Sequence, residues 1–316
     1  MNKGTPTHLA AQARLSSFSL VELLVAIAVL SIIVILLLSM TSSITSIWQA
    51  GQAHNERRAT TDAVFEHMQR DLQQAAIPAS HPGNPQFINT NSLEMVINPT
   101  GIAANYELPQ AIFWQAPIAT DGSINGSLAI IGYFIQWVNG APCLTRLLIN
   151  PSSTGSYEIY SNPSSWITSS LITSTAPATA ASNYAGLLAP NVLGLWVQVL
   201  DANGNPIQQV GATAPGESFD SRLPYAYTNY AYTNSGGTPA LATNVACGLP
   251  AAVQIGIVVI DSRTALHLAG TEKPSATSLT GNFWSDIQTF YQGLPTFIQK
   301  GAEIQTTTVN IPVAPR

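Results

Sequence analysis

Residues 18–38 read Phe-Ser-Leu-Val-Glu-Leu-Leu-Val-Ala-Ile-Ala-Val-Leu-Ser-Ile-Ile-Val-Ile-Leu-Leu-Leu, an apolar run with a single charge, Glu22, near its start. At 1.5 Å per residue such a helix is about 32 Å long, enough to cross the hydrocarbon core of a bilayer. A carboxylate inside that core costs roughly 2.5–3.5 kcal/mol on insertion scales, and less near the interface. Two uses of Glu22 therefore stand open. Either it finds a positive partner within the membrane, or it snorkels to the cytoplasmic headgroups.

The residues before the run bear on orientation and processing. Residues 1–17 hold Lys3, His8 and Arg14 and no acidic residue, so the positive-inside rule keeps this end in the cytoplasm. A secretory signal places its apolar core ahead of a small-residue cleavage site. Here the order is reversed: the polar leader ends in Ser16 and Ser17, and the apolar run follows. Cleavage between Ser17 and Phe18 would leave the hydrophobic helix on the mature protein, with Glu22 as its fifth residue.

This arrangement resembles the leader of type IV prepilins and type II secretion pseudopilins. In that family a Gly-Phe-Thr-Leu-x-Glu sequence is cut after the Gly by a membrane aspartic peptidase, which also N-methylates the new amino terminus. Phe18, Ser19, Leu20 and Glu22 match, while Ser17 replaces the Gly and Ser19 the Thr. Ser19 keeps a small hydroxyl; Ser17 brings a hydroxymethyl group to a peptidase pocket shaped around glycine. The resemblance implies cleavage between Ser17 and Phe18 and N-methylation of Phe18. For Glu22 it implies pairing with the charged N-terminus of a neighbouring subunit. An unpaired buried charge costs several kcal/mol and a paired one much less, so such a pair also sets register.

Beyond the membrane the helical rhythm continues. Ile44, Ile47, Trp48, Ala63, Val64, Met68, Leu72 and Ala75 recur mostly at steps of three and four, with Glu56, Arg57, Arg58, Asp62, Arg70 and Asp71 on the other faces. Arg57 and Arg58 read as a solvated face or as neighbours of lipid headgroups. Glu66 and Arg70 stand four apart in the favourable order. Pro78 ends the pattern, and Gly51 is its weak point at about 1 kcal/mol relative to alanine. The expectation is a leader over 1–17, a continuous helix over 18–76 with its membrane part at about 18–40, and a head over 77–316. That helix would be roughly 90 Å long.

From Ile77 onward Pro, Gly, Asn, Ser and Thr alternate with short apolar bursts, the pattern of a β-rich domain. Ala129, Ile131, Tyr133, Ile135 and Trp137 fall on one face of a strand over 128–138. Leu193, Leu195, Val197 and Val199 share a face of 193–200, and Val253, Ile255, Ile257 and Val259 one of 252–260. Weaker strands are expected at 93–97, 111–115, 144–149, 157–160 and 306–311, with a hairpin at Asn139-Gly140. The fold class read from this is α+β, a long N-terminal transmembrane and stalk α-helix packed on an antiparallel β-rich head. Met68-Gln-Arg-Asp-Leu72, the Pro190–Asp201 stretch and Leu249-Pro-Ala-Ala-Val253 extend the resemblance to the larger minor pilins and J-type minor pseudopilins. The pilin-like cassette proteins of verrucomicrobia are the alternative. Such proteins occupy filament tips or prime assembly.

The rest of the chain offers little chemistry. Charged residues make up only 9% of it, and loss of Lys3 and Arg14 with the leader moves the formal charge from −5 to −7, which opposes a broad nucleic-acid surface. Cys143 and Cys247 both lie beyond the membrane, where a pair of this kind forms a disulfide or remains as two buried thiols. Closing about 100 residues contributes up to roughly 4.7 kcal/mol in the chain-entropy picture. Tyr225–Asn234 repeats a five-residue unit and suits either an exposed recognition loop or a segment packed on its own domain; a period of five predicts no regular structure. Asp201-Ala-Asn-Gly-Asn205 begins like a calcium loop, but Pro206 and Ala212 stand where Gly and Glu are needed, so it reads as a turn. Asp261-Ser-Arg263 reads as a turn or cap. No catalytic residue, metal site or cofactor is expected. The leading reading is a structural subunit of a type IV pilus or type II secretion filament. Its expected partners are other pilins, the prepilin peptidase, an inner-membrane assembly platform and lipid. The alternative is a membrane-tethered binding protein that does not polymerise.

Overall fold

Helix α1 runs without a break from Leu20 to Leu72, about 80 Å by its rise per residue. Gly51 does not interrupt it. The helix ends four residues before the expected Ala76. Its last carbonyls close tight turns, Gln74 N–H to Asp71 O (3.2 Å) and Ala75 N–H to Leu72 O (3.0 Å). Ala76 then donates to Gln115 O (2.8 Å), which turns the chain onto a sheet. The computed structural model describes residues 19–76, 80–81, 84–88, 93–99, 102, 108–120, 126–138, 140–151, 166–167, 185–209, 217–223, 225–231, 240–246, 249–268, 274 and 279–312. The chain divides into two compact units, Met1–Gln52 and Ala53–Arg316. The last twenty residues of α1 thus belong with the head.

Within the head the described strands are β1 (Ser80–His81), β2 (Asn84–Ile88), β3 (Met95–Ile97), β4 (Ile112–Ala116), β5 (Ala129–Val138), β6 (Ala141–Ile149), β7 (Ala185–Pro190), β8 (Val192–Leu200), β9 (Gln208–Gln209), β10 (Phe219–Asp220), β11 (Tyr225–Ala231), β12 (Ala240–Ala246), β13 (Ala252–Ile260) and β14 (Ala302–Asn310). Helices α2 (Ser262–Leu268), α3 (Phe283–Gly293) and α4 (Thr296–Gly301) lie between β13 and β14. One sheet has the order β10-β3-β4-β5-β6-β7, a second β14-β13-β8, a third β12-β11-β9, and β1 pairs with β2. The paired strands are antiparallel throughout. The fold is α+β, as the sequence implied.

The expected hairpin is present: β5 and β6 meet at Val138 and Ala141, with Gly140 at φ +81° supplying the left-handed residue of a tight turn. The apolar alternation also holds in β13 and through the middle of β5, since Ile131, Tyr133, Ile135, Val253, Ile255, Ile257 and Val259 all enter one core, whereas Trp137 near the end of β5 packs with the α3–α4 cluster. That core takes in Val64, Met68 and Leu72 of α1. The reverse face of the six-stranded sheet is covered at Phe113 and Phe134 by Trp166 and Ile167. On the reverse face of β8 and β13, α3 and α4 bring Phe283, Ile287, Phe290 and Ile298. Gly256 makes room for that layer, because a Cβ there would stand 2.5 Å from Ile287 Cδ1 and 2.9 Å from Phe283 Cζ.

Three expectations fail for identifiable reasons. Leu193 does not share the face of Leu195, Val197 and Val199; it joins Trp196 beneath the helices. A bulge between Val258 and Val259, which pair with Gly194 and Val192, flips the alternation at that point. Tyr225–Ala231 is a regular strand despite its five-residue period, because Ala240–Ala246 pairs with its backbone along the full length; ladder bonds ignore side-chain period. The end of the repeat, residues 232–234, and the strand expected at 157–160 lie outside the described residues. Finally, β14 starts at Ala302, four residues before the expected Thr306, extended by its pairing with β13.

Asn191 is the junction of the six-stranded sheet and the β14-β13-β8 sheet. It sits at φ +65° between β7 and β8, where the chain leaves the six-stranded sheet for the three-stranded one. Asparagine tolerates that left-handed conformation better than most residues. Its N–H donates to Pro142 O (2.8 Å) and its carbonyl accepts from Ile260 N–H (2.9 Å), so one residue is bonded to both sheets.

Candidate functional site

The helix start brings Glu22 together with Ser19, another residue of the leader motif. Ser19 N–H donates to Glu22 Oε2 (3.1 Å), and Glu22 N–H donates to Ser19 Oγ (3.2 Å). This is a capping box, in which the first-turn donors that lack helical partners are satisfied reciprocally. Its signal, Ser-x-x-Glu ahead of an apolar run, stands in the sequence, but it escapes a reading of Glu22 as a membrane charge alone. Negative charge also suits the helix N-terminus through the macrodipole. Ser17 and Phe18 lie outside the described residues.

From Leu20 to Trp48 the large apolar side chains are exposed, from 44% at Val34 to 79% at Leu20. Isolated exposed apolar residues are ordinary, but a continuous surface of this size marks a contact with lipid or protein. The helix is long and apolar enough to cross a membrane. Several of its hydroxyls are internally satisfied: Ser31, Thr41, Ser43 and Thr45 each donate to the carbonyl four residues back at 2.8–3.0 Å.

The second half of the helix is held by charges that the helical pattern places off its apolar stripe. Asp71, only 3% exposed, accepts from the Tyr133 hydroxyl and from Arg146 Nε through the same oxygen, each at 2.6 Å. Burial, then the Asp71 charge, pushes the Tyr133 hydroxyl well above its ordinary range. Burial is the largest influence on Arg146 and would lower it, but the hydrogen bond to Asp71 and the interactions with Tyr133 and the Asp71 charge together outweigh it, and the guanidinium's affinity for its proton rises. Arg57 likewise turns inward, to Glu303 Oε2 (3.0 Å) and Asp261 Oδ2 (3.3 Å). His54 Nδ1 lies 3.2 Å from the same Glu303 oxygen. Glu56 hydrogen-bonds Ser262. The solvated reading of Arg57 is therefore corrected, while Arg58 is exposed as expected. Arg57 precedes Thr61, Val64, Met68 and Asp71 on one face, and its partners lie more than two hundred residues away, beyond any local pattern. Arg70 bonds the His67 ring (2.9 Å).

Asp261 caps as the sequence suggested, accepting the Thr264 N–H (2.8 Å) at the start of α2. Asp201 Oδ1 accepts from the N–H groups of Asn203 (2.9 Å) and Asn205 (2.8 Å), an Asx turn in place of a calcium loop. Cys143 is buried and carries a free thiol, raised by that burial; Cys247 lies outside the described residues. Among the described residues no group of three or more His, Cys, Asp or Glu is placed to hold a metal.

A hollow of about 260 Å³ opens between β3, β10 and the Trp166-Ile167 pair. Within it Arg222 bonds Glu94 Oε1 (2.6 Å) and Asp220 Oδ1 (3.3 Å), and the Trp166 indole donates to Glu94 Oε2 (2.5 Å). Burial, then the Asp220 charge, pushes the Glu94 carboxyl up to about 8 against the pull of Arg222. These wall groups answer one another, which is the pattern of an internal polar network.

A capped, uncovered apolar helix that continues into a β-rich head is a pilin-like architecture. The chain matches no protein-family model and no curated protein.

Proposed function

We propose that the chain is a minor pilin or pseudopilin, a structural subunit of a type IV pilus or type II secretion filament. The observation that carries this reading is the exposure of the apolar side chains between Leu20 and Trp48, on a chain whose head buries its own core. Such a surface needs lipid before assembly and neighbouring helices after it. In this reading the N-terminus is cytoplasmic and the head periplasmic, with one pass through the inner membrane. A prepilin peptidase cuts between Ser17 and Phe18 and methylates Phe18, and a membrane platform inserts the subunit among other pilins. The chain needs no cofactor and performs no reaction of its own.

Glu22 has two successive tasks here. It caps its own helix in the membrane, then meets the amino terminus of a neighbour in the filament. Glu22→Ala should leave membrane insertion intact and cut incorporation into filaments about tenfold, equivalent to about 1.4 kcal/mol. Membrane fractionation and co-purification with the major pilin measure the two effects. Normal incorporation of the variant would remove the assembly role.

Two observations favour a second reading, a membrane-tethered binding protein that does not polymerise. The Glu22 carboxylate is already engaged by Ser19, and Ser17 replaces the glycine of the cleavage motif. N-terminal sequencing of the membrane-extracted protein separates the two. A chain that begins at Phe18 and co-purifies with other pilins supports the subunit; an uncut monomer supports the tether.

A further inference from the structure

Helix α1 does not turn polar evenly after its apolar run. Ser39, Thr41, Ser42, Ser43, Thr45 and Ser46 follow Leu38, yet Ile44, Ile47 and Trp48 stand among them. Their spacing of three and four places them on one face, and they are 57%, 72% and 64% exposed. Hydropathy alone ends the membrane segment near Met40 and leaves this patch in water.

Two observations move that boundary. The first is the state of the hydroxyls: of the six, Thr41, Ser43, Thr45 and Ser46 donate to carbonyls of the preceding turn, at 2.8–3.0 Å. A hydroxyl with its donor satisfied internally enters a poorly hydrated layer at far lower cost than one that needs water. The second is length. From Glu22 to Trp48 the helix rises about 39 Å, close to the full thickness of roughly 40–45 Å for a bilayer with its headgroups. Helical side chains also lean toward the N-terminus, so the Trp48 ring covers the turn around Ile44 and reaches back toward the hydrocarbon.

We propose that Ile44, Ile47 and Trp48 form an interfacial anchor whose occupant is the outer headgroup layer of the membrane. The bilayer-contacting helix then runs from Glu22 at one headgroup plane to Trp48 at the other. Tryptophan suits this place because its indole is apolar in body and carries an N–H that bonds headgroup or water. The inference rests on the membrane insertion proposed above and adds the depth and identity of the outer boundary.

The test uses the full chain in phosphatidylcholine–phosphatidylglycerol vesicles whose acyl chains carry bromine either near the headgroup or near the chain end. The Trp48 signal is taken as the difference between the wild-type protein and Trp48→Phe. The expected result is loss of that signal with shallow bromines and its survival with deep ones. Survival with both, together with loss to aqueous acrylamide, would overturn the anchor, as would stronger loss with deep bromines. A control chain carrying Val29→Trp and Trp48→Phe reports the middle of the span. Loss at position 29 with deep bromines but no lipid effect at position 48 defeats only the anchor. No lipid effect at either position defeats the membrane reading itself.

Discussion

Leu20–Gln52 and Ala53–Leu72 are consecutive stretches of one helix, yet the first exposes its large apolar side chains while the second hides Val64, Met68 and Leu72 and, beside them, Asp71. The contrast shows that hydropathy and burial measure different things. The first stretch is apolar because its surroundings are expected to be apolar. The second is of mixed polarity because its own head supplies both the apolar surface and the counter-charges. Arg146 and Tyr133 on adjacent strands make a buried carboxylate tolerable; nothing within the first stretch would do the same for a charge placed there.

The sharpest way to break the comparison is at Asp71. Asp71→Ala leaves the Arg146 guanidinium without its carboxylate and strips the Tyr133 hydroxyl of its acceptor. The expected loss is about 3–5 kcal/mol of unfolding free energy. Urea unfolding of the detergent-solubilised chain, followed through the buried indoles of Trp114 and Trp196, measures it. A loss below about 1 kcal/mol would mean that the triad contributes little to docking.

A pair of apolar truncations sharpens the same point. Met68→Ala empties a fully buried position and should cost about 2–5 kcal/mol in that assay. Leu30→Ala removes a side chain that touches solvent in the isolated chain, 61% exposed, and should stay within about 0.5 kcal/mol. Under the proposed membrane insertion its effect belongs to membrane retention, at about 0.8 kcal/mol per methylene withdrawn from lipid. Equal losses from the two variants would abolish the distinction between the stretches.

How far this arrangement is legible in the sequence depends on how far apart the interacting residues lie. The apolar run, the alternation of β13 and of the middle of β5, and the hairpin turning at Gly140 are local signals, and each carries through to the structure. Leu193 falls on the face opposite to its expected one because its side is decided by a bulge against β13, some sixty residues on. Asp71 is buried and Arg57 half-buried where a helical pattern predicts solvent, since a charge on a helix is solvated unless a distant segment answers it. The capping role of Glu22 is a different case. Ser19 lies only three residues away, but the large membrane cost of the carboxylate overshadows so small a local bond.

The weakest expected effect lies at the head end of the unit boundary, where Arg57 bridges Asp261 and Glu303 and His54 faces Glu303. Burial alone would raise the Glu303 carboxyl, but its hydrogen bond from Arg57 and the charges of His54 and Arg57 hold it below its ordinary value of 4.5. A carboxyl depressed in the folded state stabilises the fold above its unfolded value, and that contribution is lost as pH falls through the lower folded value. Glu303→Gln should therefore weaken the head slightly at pH 7, by no more than about 1 kcal/mol because the pair is partly solvated. Below about pH 4.5 the difference from wild type should shrink, since the wild-type carboxyl is by then losing its own charge. Urea midpoints for both proteins at about pH 7 and about pH 3 give the comparison. A difference that persists unchanged in acid would show that Glu303 acts through packing, whereas a neutral-pH loss as large as that of Asp71→Ala would make the two ends of the docked helix equivalent.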